Sequence, residues 1–519
     1  MNVLAKNNTK HGFTIVELCV IIAVIGILAT LVIVSLNSWR LNTARNEVRS
    51  DLNGVSAGMN VARNQSNGYP LSLPNNFTSS ANVQLTYASG DATSYCIDGK
   101  SKVISSVTYF IDSARTGGEP RHGTCALGET PVGFDPSGPG WNIAVKSGGG
   151  AHKCGIAAGK AYCWGTNTYG QLGNGTTTAS NTPVAVNTSG ALAGKTVTAI
   201  AVGASSTCAI ADGAVYCWGW SVDLNGGWAV LGKDTLPMQR SNVPVAMNTL
   251  HPAGVLAGKT VTAISGSAHT YCVIADSAIY CWGANFYGQL GVGNTSYYTA
   301  PVAVSTAGAL SGKVPTAISL IRDSACAVAS GKAYCWGSGV DGQLGKTTTS
   351  NSSTPTAVTD TGVLAGKTVT AVAGGYFNHC VIADGGVYCW GNNVHGQLGN
   401  GTLVAATAPV AVSTAGVLAG KTVTAISAGS HACAVASGDV YCWGDNYAGQ
   451  LGDNTTTKSS IPVAVTTTGA LGGKTITAIA AGHSNTCVVA NSEGFCWGLG
   501  PLGNGPAGNS STAVQITAP

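Results

Sequence analysis

Charge is scarce in this chain. Of 519 residues only 25 are Lys or Arg and 21 are Asp or Glu, 9% in all, against about 25% in ordinary soluble proteins. The formal net charge is +4, and no basic stripe offers a surface to phosphates, which argues against nucleic acid as a partner. Close C-x2-4-C pairs are missing, so the 17 cysteines do not read as zinc ligands, although His152, His269, His379, His431 and His483 stand near some of them. Nor does any motif join a nucleophile to a base, or pair two carboxylates. No enzyme, cofactor or metal is expected.

What is present begins with one long apolar run. From Phe13 to Trp39 the single charged residue is Glu17. The run is long enough to span a bilayer of ~30 Å as a helix, where a carboxylate is costly and by default functional. A basic leader (Lys6, Lys10, His11) precedes it, but no Ala-x-Ala cleavage site follows, which separates it from an ordinary signal peptide. Gly12-Phe13-Thr14-Ile15-Val16-Glu17-Leu18 resembles the processing site of type IV prepilins. The resemblance implies cleavage after Gly12, N-methylation of Phe13, and a role for Glu17 at the fifth mature position, neutralised in assembly by a neighbouring subunit's amino terminus.

Beyond the run, Leu41, Ala44, Val48, Leu52, Val55, Met59 and Ala62 make one apolar stripe, ended by Gly68-Tyr69-Pro70. Short β-prone runs (83–87 and 103–111) follow among turn residues. The pilin resemblance implies a small α+β head here, with Cys96 joined to Cys125. The expected organisation is a leader (1–12), a transmembrane assembly helix (13–64), a pilin-like head and linker (65–140), and a repeat array (141–519).

The array is counted by its cysteines. They pair as Cys154 with Cys163, Cys208 with Cys217, Cys272 with Cys281, Cys326 with Cys335, Cys380 with Cys389, Cys433 with Cys442 and Cys487 with Cys496. Each pair has eight residues between its members and is followed by Trp-Gly. First cysteines recur every 53 or 54 residues, except for one interval of 64. Each pair brackets a plausible two-residue turn such as Asp212-Gly213. Counting outward from the turn puts the cysteines opposite each other at a non-hydrogen-bonded position, about 4.5 Å apart, within reach of a disulfide. Seven cross-strand disulfides are therefore predicted, each contributing roughly 2–3 kcal/mol at most by loop-closure entropy. Cys19 is left over. Disulfides at this density call for an oxidising exterior.

Two further β-prone segments flank each hairpin, as in 183–186 and 196–201. Three or four short strands per unit, repeated seven times, suggest a seven-bladed β-propeller. The Cys-Trp-Gly strands, followed by Gly-Gln-Leu-Gly at 170–173, 288–291, 342–345, 396–399 and 449–452, resemble the regulator of chromosome condensation repeat family. This resemblance implies the same seven-bladed architecture, with 512–516 favoured over 130–134 as the strand sealing the ring. The fold class expected is thus an N-terminal long helix with a small α+β head, then an all-β seven-bladed propeller.

The recurring Gly-x-Leu-Ala-Gly-Lys-Thr invites a phosphate-loop reading. It has three residues between its glycines where four are needed, and it leads into a strand.

The two resemblances together imply a minor pilin-like surface adhesin, with a pseudopilin of a secretion system as the alternative. The partners then expected are other pilin subunits, prepilin peptidase, the pilus assembly machinery, the membrane before assembly, and an extracellular protein or glycan. The location expected is the inner membrane, then a pilus or the cell surface. The second repeat gains seven residues between Cys217 and Pro244. Trp220 and Trp228 there, with Tyr297 and Tyr298 in the third repeat, are candidate ligand contacts; packing down on the blade is the alternative for the tryptophans.

Overall fold

Val48, Leu52, Val55 and Met59 recur at intervals of three and four, and in the computed structural model of the chain all four are fully buried along one side of a helix. The structure describes residues 43, 47–48, 50–63, 70, 72–73, 79–90, 95–103, 108–112, 121–122, 141–144, 152–221, 231, 240–247, 254–506 and 508–517. The chain divides into two compact units, 1–129 and 130–519.

In the first unit the helix packs on a four-stranded antiparallel sheet, order β1-β2-β3-β4: β1 Val83–Gly90, β2 Tyr95–Ser101, β3 Thr108–Asp112 and β4 Arg121–His122. The helical stripe meets Val83, Ile97 and Ile111 from three of these strands. Asp51 fixes the approach by accepting hydrogen bonds from the main chain and hydroxyl of Ser80, at 2.7 and 2.6 Å. Of the long helix expected over 13–64, residues 43, 47–48 and 50–63 are helical, and the rest of the stretch lies outside the described residues. Among the described residues no helix is long and apolar enough to cross a membrane. Gly12, Phe13, Glu17 and Cys125 lie outside the described residues; Cys96 falls in β2, with its side chain outside them as well.

The second unit is an all-β propeller of seven four-stranded antiparallel sheets. The blades span 141–185, 197–246, 261–303, 315–357, 369–411, 423–464 and 476–515. Each is built from four consecutive strands, here a to d; in blade 4 they are Pro315–Leu320, Ser324–Ala329, Lys332–Gly337 and Ser352–Ala357. The a strands of successive blades abut one another around the centre. The b strands are buried almost throughout, and the d strands are the most exposed.

Local chemistry sets the b–c hairpins. Both central turn residues take positive φ, as at Asp212 (47°) and Gly213 (75°), the backbone of the turn that matches strand twist. Register then pairs cysteine with cysteine in every blade. Disulfides join Cys154 to Cys163 in blade 1, Cys208 to Cys217 in blade 2, Cys272 to Cys281 in blade 3 and Cys326 to Cys335 in blade 4. Cys380 is joined to Cys389 in blade 5, Cys433 to Cys442 in blade 6 and Cys487 to Cys496 in blade 7. Their Cα atoms are 4.0–4.1 Å apart, closer than the ~4.5 Å expected of a facing non-hydrogen-bonded pair.

The Cys-Trp-Gly and Gly-Gln-Leu-Gly motifs lock neighbouring blades. Trp218, Trp336, Trp390, Trp443 and Trp497 each donate their indole N–H to the main-chain oxygen of a glutamine in the preceding blade (Gln171, Gln289, Gln343, Gln397 and Gln450) at 2.9–3.0 Å. The leucine after each glutamine is fully buried. The closing glycine must be glycine: at Gly399 φ is +65° and an added Cβ would lie 2.6 Å from Trp443 Nε1. Core clusters accordingly span two blades, as where Cys380, Cys389 and Leu398 of blade 5 meet Ala434, Tyr441 and Trp443 of blade 6.

Ser510–Gln515 supplies the d strand of blade 7, pairing Val514 with Cys496. The ring therefore closes without strand exchange. Its seam is made by Ala157 and Trp164 of blade 1 against Ala480, Val489, Leu502 and Ile516 of blade 7. Lys153 Nζ also donates to the oxygen of Pro501 at 2.9 Å.

Candidate binding face

Antiparallel pairing puts all b–c turns and d–a connectors at one end of the propeller, and all a–b and c–d loops at the other. The hairpin end holds the Gly-Lys-Thr segments, and their roles there are structural. The lysines sit over an aromatic ring of strand c, at 5.5–5.9 Å for Lys195/Tyr216, Lys259/Tyr280, Lys313/Tyr334, Lys367/Tyr388, Lys421/Tyr441 and Lys474/Phe495. The threonine N–H groups that a phosphate would need are taken by the hairpin turn: Thr196, Thr260 and Thr368 donate to Asp212, Asp276 and Asp384 at 3.1–3.2 Å, and Thr475 donates to Asn491 at 3.0 Å.

The loop end is more apolar. In blades 3, 5 and 6 a buried asparagine ties each c–d loop together. Asn393, for instance, accepts from Leu398 N–H at 2.9 Å and donates to the oxygens of Thr402 and Val404 at 3.0 Å; Asn285 and Asn446 repeat the pattern. The next side chain is left facing water. Phe286, Val394 and Tyr447 are 59%, 55% and 57% exposed, and Val340, at the same offset in blade 4, is 62% exposed. These four positions occupy four successive blades.

Closer to the axis, the a–b loops add aromatic and titratable groups. Tyr376 meets Phe377 edge-on at 4.4 Å and the His483 ring at 5.0 Å. His483 Nδ1 is 2.6 Å from Ser430 Oγ, and Tyr447 Oη is 2.6 Å from Ser484 Oγ. Burial lowers the pKa of His483, opposed by the nearby Asp445 charge and assisted by His395. Asp323, beside Arg322, is shifted upward by burial. Among the described residues no group of three or more His, Cys, Asp or Glu is placed to hold a metal ion.

The four aromatic candidates fare unevenly. Trp220 stacks on Tyr169 of blade 1, with centroids 4.6 Å apart and planes 9° from parallel, and is only half-exposed. Tyr297 is 53% exposed on the c–d loop of blade 3, while Tyr298 begins strand d and accepts from Asn294 Nδ2 at 3.0 Å. Trp228 lies outside the described residues. Phe286, Val340, Val394 and Tyr447 were not singled out from sequence, yet each stands four residues after its framework tryptophan. That fixed offset is the signal that exposes them.

Comparison with known proteins places these features in a family. The model of the regulator of chromosome condensation (RCC1) repeat matches residues 158–210, 276–323, 330–382, 384–436 and 437–489. The human E3 ubiquitin-protein ligase HERC2 is 31% identical over 349 residues, covering 65% of this chain but only 7% of the ligase. The Arabidopsis thaliana ultraviolet-B receptor UVR8 is 27% identical over 392 residues, 74% of this chain and 83% of the receptor. Among solved structures, human WBSCR16 superposes with a TM-score of 0.58 at 21% identity, over 69% of this chain and 94% of that one. Yeast RCC1 (Prp20), solved bound to Kap60, gives 0.57 at 20% identity, over 69% and 83%. At these identities the structural likenesses speak to fold alone.

These findings correct the role expected from sequence. That role rested on residues 12–18, which lie outside the described residues, whereas the matches run through the repeat array and lead to a ubiquitin ligase and a light receptor. The pilin-like adhesin and the pseudopilin alternative are both set aside. So are pilin subunits, prepilin peptidase and pilus machinery as partners, and the route from inner membrane to pilus or cell surface.

Proposed function

The chain belongs to the regulator of chromosome condensation repeat family, and we propose that its propeller is a protein-binding module whose contact face is the loop end. The observation that carries this reading is the arc of Phe286, Val340, Val394 and Tyr447, four exposed apolar side chains at one offset in successive blades. Single exposed apolar residues mean little. Four of them, raised on rigid loops and flanked by Tyr376, Phe377 and His483, make a surface suited to a partner. Each would contribute roughly 1.5–3 kcal/mol if fully buried, from which the cost of association is subtracted. Yeast RCC1 (Prp20) was solved bound to Kap60, and its binding properties to Gsp1p and histones accompany a second structure, which supports a macromolecular partner over a small substrate. Ligase activity is not carried over, because the match covers so little of that relative. Trp220, Trp228, Tyr297 and Tyr298 are proposed as flanking contacts.

The test uses the immobilised full chain, challenged with Gsp1p, with histones and with a random-peptide phage library. The parent should retain at least one of these. Changing Phe286, Val340, Val394 and Tyr447 together to Ser should weaken that retention by roughly tenfold or more, as for loss of central apolar anchors. Equal retention by the variant, or none by the parent, overturns the reading.

A further inference from the structure

Two blade junctions carry the same buried relay. At junction 1/2, His152 Nε2 lies 2.9 Å from Thr207 Oγ1, and Thr207 donates to the Gln171 oxygen at 3.0 Å, the oxygen that also accepts from Trp218. At junction 6/7, His431 Nε2 lies 2.6 Å from Thr486 Oγ1, which donates to the Gln450 oxygen at 2.8 Å beside Trp497. A hydroxyl has one proton, and in both relays it is committed to the glutamine carbonyl. Each histidine must therefore donate from Nε2, leaving Nδ1 without a proton. Both Nδ1 atoms are buried and have no hydrogen-bond partner among the described residues. Protonating either ring would bury a charged N–H with no acceptor, the costly case for a polar group.

The relays flank one place in the ring. Blades 7 and 1 meet at the seam, where no peptide link joins sheet to sheet. There Lys153 takes the position held by Thr207 and Thr486 in blades 2 and 7, and its Nζ binds Pro501 O, the counterpart of the glutamine oxygen. Blades 2 and 3 have no histidine at this position: Ser206 meets Tyr271 at 2.9 Å across junction 2/3, and Thr270 donates to the Ala284 oxygen at 3.1 Å.

We propose that closure of the propeller is acid-sensitive: protonation of His152 and His431 loosens junctions 1/2 and 6/7 and so releases blades 1 and 7, which meet at the seam, while blades 2 to 4 stay closed. The groups acting on the two rings favour this. His152 has Lys153 on its own strand and the neutral Thr207 across the junction; His431 faces His483 from the a–b loop of blade 7 and the neutral Thr486. No carboxylate is among them; Asp445 acts on His483 instead. Burial, with Lys153 second for His152 and His483 second for His431, lowers both ring pKa values to about 3. The sign follows: a folded pKa below the unfolded 6.5 leaves stability intact above pH 6.5 and removes it as pH falls toward 3. At pH 4.5 the penalty is about 100-fold in the closing equilibrium for each histidine.

Amide hydrogen exchange of the full chain at pH 7 and 4.5, corrected for intrinsic rates, tests this. Protection in 485–498 and 152–165 should fall by about tenfold or more at pH 4.5, while 270–283 keeps its own. In the double variant His152→Gln with His431→Gln, whose amides still donate to Thr207 and Thr486, the loss should shrink to about twofold. Uniform loss across all blades, no loss in the parent, or equal loss in the variant overturns the proposal. If the variant does not fold, C2-proton exchange of the parent's histidines decides: titration of His152 and His431 near 6.5 overturns it, and titration near 3 supports it.

Discussion

Trp443 of blade 6 donates its indole N–H to the main-chain oxygen of Gln397 in blade 5 at 3.0 Å, with Gly399 immediately beneath the ring. The contact joins residues 46 apart in sequence and has close counterparts at four other junctions. At these five junctions it makes one blade's third strand part of its neighbour's floor.

Trp443→Phe should cost about 2 kcal/mol or more, because it strands a buried carbonyl and removes packing. Gly399→Ala should cost at least about 1–3 kcal/mol, from strain at positive φ and the clash with Trp443. Urea denaturation measures both. In the double variant the glycine effect should shrink, since the smaller ring leaves room for the new methyl group. Additive losses would count against the contact.

Lys153 predicts an unusual alkaline limb. Burial lowers its ammonium to about 8 from 10.5. Below pH 8 the amine is charged in both states and its burial penalty is fully felt. Between pH 8 and 10.5 the folded chain has released this proton and the unfolded chain has not, so stability rises with pH by up to about 3 kcal/mol. Lys153→Met should flatten that rise. Denaturation midpoints of parent and variant at pH 7.5 and 10 supply the comparison, and parallel profiles would disprove it.

The bridge from Cys380 to Cys389 closes a short loop already shaped by its hairpin turn. Replacing both cysteines by Ala should therefore lose no more than roughly 2–3 kcal/mol from the bridge itself. In a repeat array the damage should concentrate in blade 5 and its neighbours. Local hydrogen exchange distinguishes this from loss of protection in every blade at once.

Much of the propeller was legible in sequence because its information is local. Turn residues and the eight-residue spacing of the cysteines set strand register within ten positions. Pairs such as Cys154 with Cys163, Cys272 with Cys281, Cys326 with Cys335 and Cys433 with Cys442 follow from that register alone. The Gly-Gln-Leu-Gly motif could be recognised but not explained, because its purpose lies in a tryptophan of the next blade. The histidine relays were hidden for the same reason. His152 and Thr207 are 55 residues apart, and beside a cysteine a histidine suggests a metal long before it suggests a donor to a threonine. For Trp220 the sequence left ligand contact and packing both open, and the structure stacks it on Tyr169 of the preceding blade. The role expected from residues 12–18 failed for a different reason: a short motif at one end says nothing about the surface that the repeats build.

Because Ser510–Gln515 completes its own sheet, the first and last blades touch without exchanging a strand. No covalent logic then compels the circle to start at blade 1. The break between consecutive sheets could be moved to any d–a connector by circular permutation, and the order in which the polypeptide is read would change while the wheel did not. What makes the present opening distinctive is chemical: among the described residues it alone is bridged by an amine.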